Sequence, residues 1–203
     1  MLAKIAPTAT SGTVIILNGA SSAGKTSLLR AVQAIMPRPY LNAGIDQFVR
    51  MLPEHYVDSP LWPQVFGQMN RSGPLGHQLI KSMHHTIASL AASGWDVVAD
   101  HVFIEREWVY DLATATTGLR VWLIGVRCPP NVLALRERER GDRPIGQAAH
   151  HHGLAHRHGL YDLEIDTSTA PPNVLATRIK EMVESAMEPS ALAKLASLPI
   201  HDQ

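Results

Sequence analysis

A glycine-rich run near the N-terminus carries the clearest chemical signal in this sequence. Residues 19–26 read G-A-S-S-A-G-K-T and match the pattern G-x-x-x-x-G-K-[ST]. Small residues let backbone N–H groups turn inward around anionic oxygens, and a following helix adds the positive end of its dipole. Lys25 is expected to reach the outer phosphates of a nucleotide, and Thr26 to ligate Mg²⁺. The candidate nucleotide-binding residues are Gly19, Ala20, Ser21, Ser22, Ala23, Gly24, Lys25, Thr26 and Ser27.

The plain alternative for this run is a glycine-rich turn that exposes its lysine to solvent. The flanking sequence disfavours it, because a continuous apolar run at 13–18 predicts a buried strand before the loop. A helical pattern at 25–36 follows directly. The strand, loop and helix together are the context that phosphate binding requires.

Two aspartates stand near the ends of predicted strands. Asp46 follows a predicted strand at 40–45, where a carboxylate can accept the proton of an attacking hydroxyl. The alternative role, compatible with the first, is to cap a short helix at 47–52. Asp100 closes the apolar run W-D-V-V-A-D, a position where a carboxylate holds Mg²⁺ directly or through water. Its alternative role is a hydrogen bond to a neighbouring loop.

Arginines are concentrated in L-R-E-R-E-R-G-D-R-P at 135–144. Much of this run is typical of a solvated helix face with i,i+4 ion pairs. Arg140 and Arg143 differ, because glycine and proline interrupt the helix around them. Arginines on such a mobile lid can close over ATP and stabilise the charge of the transferring phosphoryl group. We assign that catalytic role to Arg140 and Arg143, with Arg136 as a weaker candidate.

Histidines and large apolar side chains form two further candidate groups. The histidines allow a metal-site reading, but a solvated helix beside the lid is favoured, because no E-x-x-H arrangement accompanies them. The apolar residues could line a substrate pocket or belong to the ordinary core. The histidines are His150, His151, His152, His156 and His158, and the apolar residues are Met51, Trp62, Phe66 and Phe103.

The elements that position these residues alternate between strands and helices. This order predicts an α/β fold of the P-loop kinase type, with a parallel sheet flanked by helices on both faces. Ligands of such sheets bind beyond the carboxyl ends of the strands. The predicted strands are 13–18, 40–45, 95–102, 119–127 and 161–167, and the predicted helices are 25–36, 46–52, 75–93, 105–116, 130–140, 145–157 and 171–187.

We expect a single domain over 1–203, with three special regions. The lid occupies about 136–158 and carries the arginines. A proline-rich insertion at about 53–75 is the expected acceptor side. The tail at 188–203 is weakly patterned and expected to be loose.

The composition of the chain limits the kinds of partner and compartment that we expect for it. The 203 residues carry a formal net charge of zero, so no basic field draws the chain to nucleic acid. No apolar run is long enough for a membrane span, and no signal peptide is recognisable. Cys128 is the one cysteine, which excludes an internal disulfide. We expect a cytoplasmic protein, and zero net charge is compatible with a homo-oligomer.

Three functions fit the candidate residues. The favoured one is a kinase that transfers the γ-phosphate of ATP to a hydroxyl of a small molecule, using Mg²⁺. The others are a nucleotide-dependent ATPase switch or binding protein, and a kinase of a nucleotide or nucleotide-sugar. No N-K-x-D element of guanine-specific GTPases is present, and the chain is short for a transporter ATPase or helicase. An acceptor base such as Asp46 favours transfer, because a switch needs none.

Six motifs occur in a fixed order along the chain: V-I-I-L-N-G-A-S-S-A-G-K-T-S, L-N-A-G-I-D, V-V-A-D-H-V-F, G-V-R-C-P-P, R-E-R-E-R-G-D-R and Y-D-L-E-I-D-T-S. Together they resemble chloramphenicol phosphotransferase and its relatives among the P-loop kinases. The resemblance covers about 13–180 and implies an ATP-dependent O-phosphotransferase, with antibiotics as one class of acceptor. It implies Asp46 as the base and ATP-phosphate contacts for Arg140 and Arg143. Two departures are His101, where the family has a second aspartate, and the segment 53–75.

Overall fold

A computed structural model describes residues 10–57, 73–140 and 145–198 of the chain. Five parallel strands form one sheet in the order β2-β3-β1-β4-β5. The predicted parallel α/β fold is therefore confirmed. The strands are β1 Thr13–Asn18, β2 Tyr40–Asn42, β3 Asp96–His101, β4 Arg120–Arg127 and β5 Leu163–Asp166.

Helices connect the strands and follow the predicted order. Their ends differ from the sequence-based boundaries by a few residues, and the helix predicted at 145–157 is shorter at both ends. The described helices are α1 Lys25–Ile35, α2 Ile45–Val49, α3 Glu54–Val57, α4 Pro74–Ala92, α5 Arg106–Ala115, α6 Pro130–Arg140, α7 Gln147–Leu154, α8 Pro172–Glu184 and α9 Ala191–Ser197.

The helices cover both faces of the sheet because the central strands are apolar on both sides. Ile16 of β1 packs with the buried side chains of α4, α5 and α9. Its neighbour Ile15 points to the opposite face and packs with those of α1 and α8. Burying one such side chain contributes about 1.5–3 kcal/mol before conformational entropy is subtracted. This double coverage explains why the strands read as unbroken apolar runs.

The register of the sheet places the end of β1 at the centre of one edge. Asn18, the last residue of β1, lies beside His101 of β3 and Gly125 of β4. The glycine-rich run starts at the next residue, and α1 begins at Lys25. The run therefore occupies the carboxyl edge of the sheet, where ligands of this fold class bind.

As far as Leu198, the last described residue, the C-terminal tail is anchored, contrary to the expectation that it is loose. Leu192 and Leu195 of α9 are buried against the sheet face that α5 covers. Asp162 Oδ1 accepts hydrogen bonds from the backbone amides of Ser190 and Ala191, at 2.8 and 2.9 Å. The sequence pattern missed this helix because seven residues are too few to show a clear amphipathic period.

Two predicted regions lie partly outside the described residues. Of the insertion at 53–75, the structure describes α3 and the first residues of α4. Trp62 and Phe66 lie outside the described residues, as does Arg143. Within the described ranges, no helix is long and apolar enough to cross a membrane.

Candidate active site

The glycine-rich run forms a tight loop that closely approaches β4. A Cβ atom on Gly19 would lie 2.3 Å from the carbonyl oxygen of Val126, so only glycine fits there. Ser22 and Gly24 have positive φ angles of 60° and 85°. The left-handed conformation costs Gly24 little, but it is unusual for serine and marks a backbone held by its surroundings. Gly24 is also the N-cap of α1, so the loop passes directly into a helix N-terminus.

Lys25 turns back over this loop. Its Nζ atom donates hydrogen bonds to the carbonyl oxygens of Gly19 and Ala20, at 2.8 and 2.7 Å. The residue is 7% exposed, so the alternative of a solvent-exposed lysine is wrong. Within the described part of the chain, the buried Oγ atom of Ser22 has no hydrogen-bond partner. A buried lysine and an unsatisfied hydroxyl at a helix N-terminus suit the oxygens of a polyphosphate.

Asp100 lies one strand away and packs directly on the loop before α2. A Cβ atom on Gly44 would lie 1.8 Å from Asp100 Oδ1, so the carboxylate occupies the space that any other side chain at position 44 would fill. Asp100 is 7% exposed and is aligned with Leu17 of β1. Leu17 lies two residues before the glycine-rich run at 19–26, the phosphate loop. Its position suits a magnesium ligand beside the phosphates. The carboxylate also packs on a neighbouring loop, and the hydrogen bond that the alternative interpretation expects there stays a prediction.

Asp46 lies two residues beyond Gly44, in the first turn of α2. Gly44 occupies the N-cap position and Ile45 begins the helix, so the expectation that Asp46 caps the helix is wrong. Sequence reasoning placed the helix start about two residues late, which is a common error for short helices. Asp46 is half-buried and follows the loop that packs on Asp100. This location is compatible with a base near the transferred phosphate.

Arg136 is the arginine that the structure places against the phosphate loop. Its guanidinium donates to the hydroxyl and the carbonyl oxygen of Thr167, at 3.0 and 2.9 Å. The Thr167 hydroxyl in turn donates to the carbonyl oxygen of Ala23, at 2.7 Å. Nη1 also lies 3.5 Å from the position a Cβ on Gly24 would take. Arg136, the weaker candidate of the sequence interpretation, is therefore tied to the loop.

The other arginines of this run stand differently. Arg138 and Arg140 are exposed, and Arg140 is the last residue of α6. The glutamates that alternate with these arginines are Glu137 and Glu139, and only Glu139 faces solvent. Glu137 is 3% exposed and accepts hydrogen bonds from the amides of Gly146 and Ala148, at 2.8 and 2.7 Å. The expectation of a largely solvated face is wrong at Glu137, which caps the N-terminus of α7.

A buried polar chain that the sequence interpretation missed reaches the end of β3. Asp111 Oδ2 and His84 Nδ1 are 2.5 Å apart, and His84 Nε2 lies 3.0 Å from His101 Nε2. Burial lowers the pKa of both histidines, that of His101 well below its usual value. Neutral His84 therefore donates to the carboxylate and accepts from His101. The overlooked signal was a histidine on the buried face of α4, beside Met83.

The histidines around α7 differ in their burial and contacts. His152 is exposed, whereas His156 Nδ1 pairs with the hydroxyl of Tyr161 at 2.5 Å. Burial lowers the pKa of His156 to about 3 and that of His158 to about 4. His158 packs edge-on against Phe103, itself buried and stacked on His101. Thus the favoured solvated-helix interpretation holds for His152, while His156 and His158 are packed and neutral.

Within the described ranges, one group of side chains brings metal-type ligand atoms within 4.8 Å of one another: His77, Glu105 and Glu107. Its hydrogen bonds argue against a metal. Trp108 Nε1 donates to His77 Nδ1 at 3.0 Å, so the ring proton lies on Nε2, which faces Glu105. A metal-bound histidine has the opposite arrangement, with its second nitrogen donating to a partner. Lys81 also pairs with Glu107 at 3.0 Å.

Comparison with protein families decides the relationship. The profile described as "Chloramphenicol phosphotransferase-like protein" matches residues 12–184. This chain belongs to the chloramphenicol phosphotransferase-like family. Two Mycobacterium tuberculosis relatives, from different strains and provisionally named O-phosphotransferases, are each 34% identical over 202 residues. That match spans 91% of this chain and 88% of each relative. Membership of the chloramphenicol phosphotransferase-like family supports a phosphotransferase.

Several solved structures with the same fold are described as kinases. An unliganded sugar kinase from Janibacter has a TM-score of 0.65 at 15% identity, covering 86% of this chain and 96% of its own. The APS kinase of Mycobacterium tuberculosis, in complex with AMPPNP and APS, has a TM-score of 0.64 at 14% identity, covering 87% and 99%. The tunicamycin resistance protein of Deinococcus radiodurans has a TM-score of 0.62 at 17% identity, covering 88% and 99%. These likenesses establish a P-loop kinase fold.

Proposed function

We propose that this protein is an ATP- and Mg²⁺-dependent kinase that transfers the γ-phosphate to a hydroxyl of a small molecule. One observation carries the proposal. The loop that bears Gly44 packs onto Asp100 and leads directly into the first turn of α2, which carries Asp46, at the same sheet edge from which the phosphate loop starts. A candidate base, a candidate magnesium ligand and a phosphate cradle therefore share one edge, as phosphoryl transfer requires.

The nucleotide side of the proposal rests on the phosphate loop. Lys25 exchanges its bonds to the loop carbonyl oxygens for the β- and γ-phosphates, and the backbone at Ser22 to Gly24 surrounds the anionic oxygens. Arg136 supports this loop through Thr167 and adds positive charge beside Gly24. Arg140 and Arg143 are proposed to stabilise the transferring group.

Thr26 and Asp100 are the side chains that would hold Mg²⁺. A hydroxyl at the start of α1 and a buried carboxylate on β3 are hard oxygen ligands of the kind this ion prefers. When bound, Mg²⁺ would neutralise charge on the phosphates. Gly44 keeps open the space that the Asp100 carboxylate occupies.

Asp46 is proposed as the base on the acceptor side. The acceptor oxygen forms a bond to the γ-phosphorus while the bond to the β,γ-bridging oxygen breaks. The proton of the hydroxyl passes to the Asp46 carboxylate, and ADP leaves. The acceptor is proposed to be a small molecule with a free hydroxyl, antibiotics among them, because the family and one fold relative are named for antibiotics.

A screen with γ-labelled ATP and Mg²⁺ tests the function. Chloramphenicol, other hydroxyl-bearing antibiotics, sugars, nucleosides and nucleotide-sugars are offered as acceptors, and labelled product is measured. Asp46→Asn should lower kcat on any acceptor found by about 10²–10⁴-fold, since general-base catalysis contributes that much. KM for ATP should change little.

Glu181→Gln is the matched control, because Glu181 is an exposed carboxylate on α8, outside both the lid and the expected acceptor segment. It should retain wild-type kcat. If no acceptor is labelled and Asp46→Asn hydrolyses ATP at the wild-type rate, the kinase proposal fails and an ATPase switch takes its place. Labelling confined to nucleotides or nucleotide-sugars would redirect the proposal to that substrate class.

A further inference from the structure

Asn18 joins four parts of the molecule at the start of the phosphate loop. Its side chain is fully buried, and its Nδ2 donates to the carbonyl oxygen of Ala155 at 2.6 Å and to the Tyr161 hydroxyl at 2.7 Å. Its Oδ1 accepts from the amide of Phe103 at 2.8 Å. All hydrogens of the amide are thus used. Asn18 therefore ties the residue before Gly19 to the end of α7, to the start of β5 and to the segment that follows Asp100.

Glu137 holds the opposite end of α7. Its buried carboxylate accepts from two amides, those of Gly146 and Ala148, at the N-terminus of that helix. A carboxylate is favourable there because it satisfies amides that lack a partner inside the helix and faces the positive end of the helix dipole. Helix α7 is therefore fixed at both ends by buried side chains from different elements.

Asn18 and Glu137, which hold the two ends of α7, also lie next to the residues at the two ends of the phosphate loop contacts. Glu137 follows Arg136, whose guanidinium donates a hydrogen bond to the Thr167 hydroxyl. That hydroxyl donates to the carbonyl oxygen of Ala23 in the phosphate loop. Asn18 precedes the first glycine of the same loop. The loop is thus connected to α6 through Thr167 at its far end and through α7 at its near end.

We propose that α7 is a strut that fixes the arginine-bearing end of α6 relative to the phosphate loop, and that Asn18 and Glu137 are positioning residues for phosphoryl transfer. This inference rests on the proposed function for its catalytic part. Small displacements of charged groups around a transferring phosphoryl reduce kcat more than binding, because the charge develops in the transition state. Neither residue contacts substrate in this scheme; each acts through α7.

Asn18→Ala, Glu137→Gln and the double variant test the strut. The first readout is hydrogen exchange of the α7 amides, which does not depend on activity. Either single variant should raise their exchange by about tenfold or more, because Asn18→Ala removes buried hydrogen bonds and Glu137→Gln removes the charge of a buried acceptor, while α1 and α4 keep their protection. On an acceptor found by the screen, kcat should fall by about tenfold with KM for ATP within about threefold.

The double variant distinguishes a shared strut from two separate defects. If both residues act through α7, the double variant loses little more kcat than the worse single variant. Losses that multiply, unchanged exchange in α7, or exchange that rises equally throughout the chain would each overturn the inference. Glu139→Gln is the control, because Glu139 is an exposed glutamate on α6, the helix that carries Glu137; this variant should match the wild type in both readouts. Should the wild type phosphorylate no acceptor, the function fails, while the exchange of α7 still decides the strut.

Discussion

Gly44 and Asp100 approach each other so closely that a single methyl group at position 44 would displace the Asp100 carboxylate. In Gly44→Ala the new Cβ would overlap Asp100 Oδ1, at 1.8 Å, with the Asp100 backbone amide only 3.1 Å away. The carboxylate must move, and the proposed magnesium ligand moves with it. We expect the apparent Mg²⁺ affinity, measured as the Mg²⁺ dependence of turnover, to weaken by about tenfold or more, by analogy with loss of a partner that orients a metal ligand.

Gly153→Ala is the control for this substitution. Gly153 lies in α7, where a Cβ atom meets nothing within 4 Å, so alanine should leave the Mg²⁺ dependence unchanged. Equal Mg²⁺ dependence in Gly44→Ala and the wild type would show that Asp100 does not ligate the ion. Urea unfolding of both variants separates a local displacement from a loss of stability.

Arg136 and Arg138 offer a second comparison at the residue scale. The two arginines lie on the same helix, but Arg136 bonds to Thr167 beside the phosphate loop whereas Arg138 is exposed. Arg136→Ala should raise KM for ATP by about ten- to a hundredfold, since it removes charge-assisted bonds that support the loop. Arg138→Ala should stay within about twofold. Equal effects of the two substitutions on KM would reject a specific role for Arg136.

At the scale of elements, the sequence predicted what local patterns determine. Continuous apolar runs marked the three central strands, β1, β3 and β4, and G-x-x-x-x-G-K-T marked the loop and its lysine. The burial of Glu137 was not predictable, because its partners are amides nine and eleven residues away whose position depends on a turn. The choice of Arg136 over its neighbours likewise depends on Thr167, 31 residues further on. Contacts between residues this far apart in the chain produce no periodic pattern in the sequence from which they could be predicted.

Helix α9 provides a prediction at this scale. Leu192 is 5% exposed and packs against the face covered by α5, although sequence patterning suggested a loose tail. Leu192→Ala should lower the free energy of unfolding by about 2 kcal/mol, the lower end for leucine in a core, because a short terminal helix can relax. Leu198→Ala, at a 42% exposed leucine, should cost about 0.5 kcal/mol or less. Matching urea midpoints for the two variants would contradict an anchored tail.

For the whole molecule, histidines link the sheet edge to α7 and make stability depend on pH. Rings of His84, His101, Phe103 and His158 follow one another from α4 to the segment after α7. Burial and, secondarily, the charge of Arg127 lower the pKa of His158 to about 4. The folded chain therefore keeps this ring neutral at pH values where the unfolded chain protonates it. Net charge, which is zero with neutral histidines, gives no hint of this behaviour.

The direction of the effect follows from proton counting. Between the unfolded value of about 6.5 and the folded value of about 4, the unfolded state binds more protons at His158, so acid favours unfolding. This stability is fully present above about pH 6.5 and is lost as pH falls toward 4, at no more than about 1.4 kcal/mol per pH unit for one group. His158→Phe keeps an aromatic ring without the titrating group and should reduce that slope in urea unfolding between pH 7 and 4.5. His152→Gln, at an exposed histidine, should leave the slope as it is; if His158→Phe does the same, the ring is not held neutral by the fold.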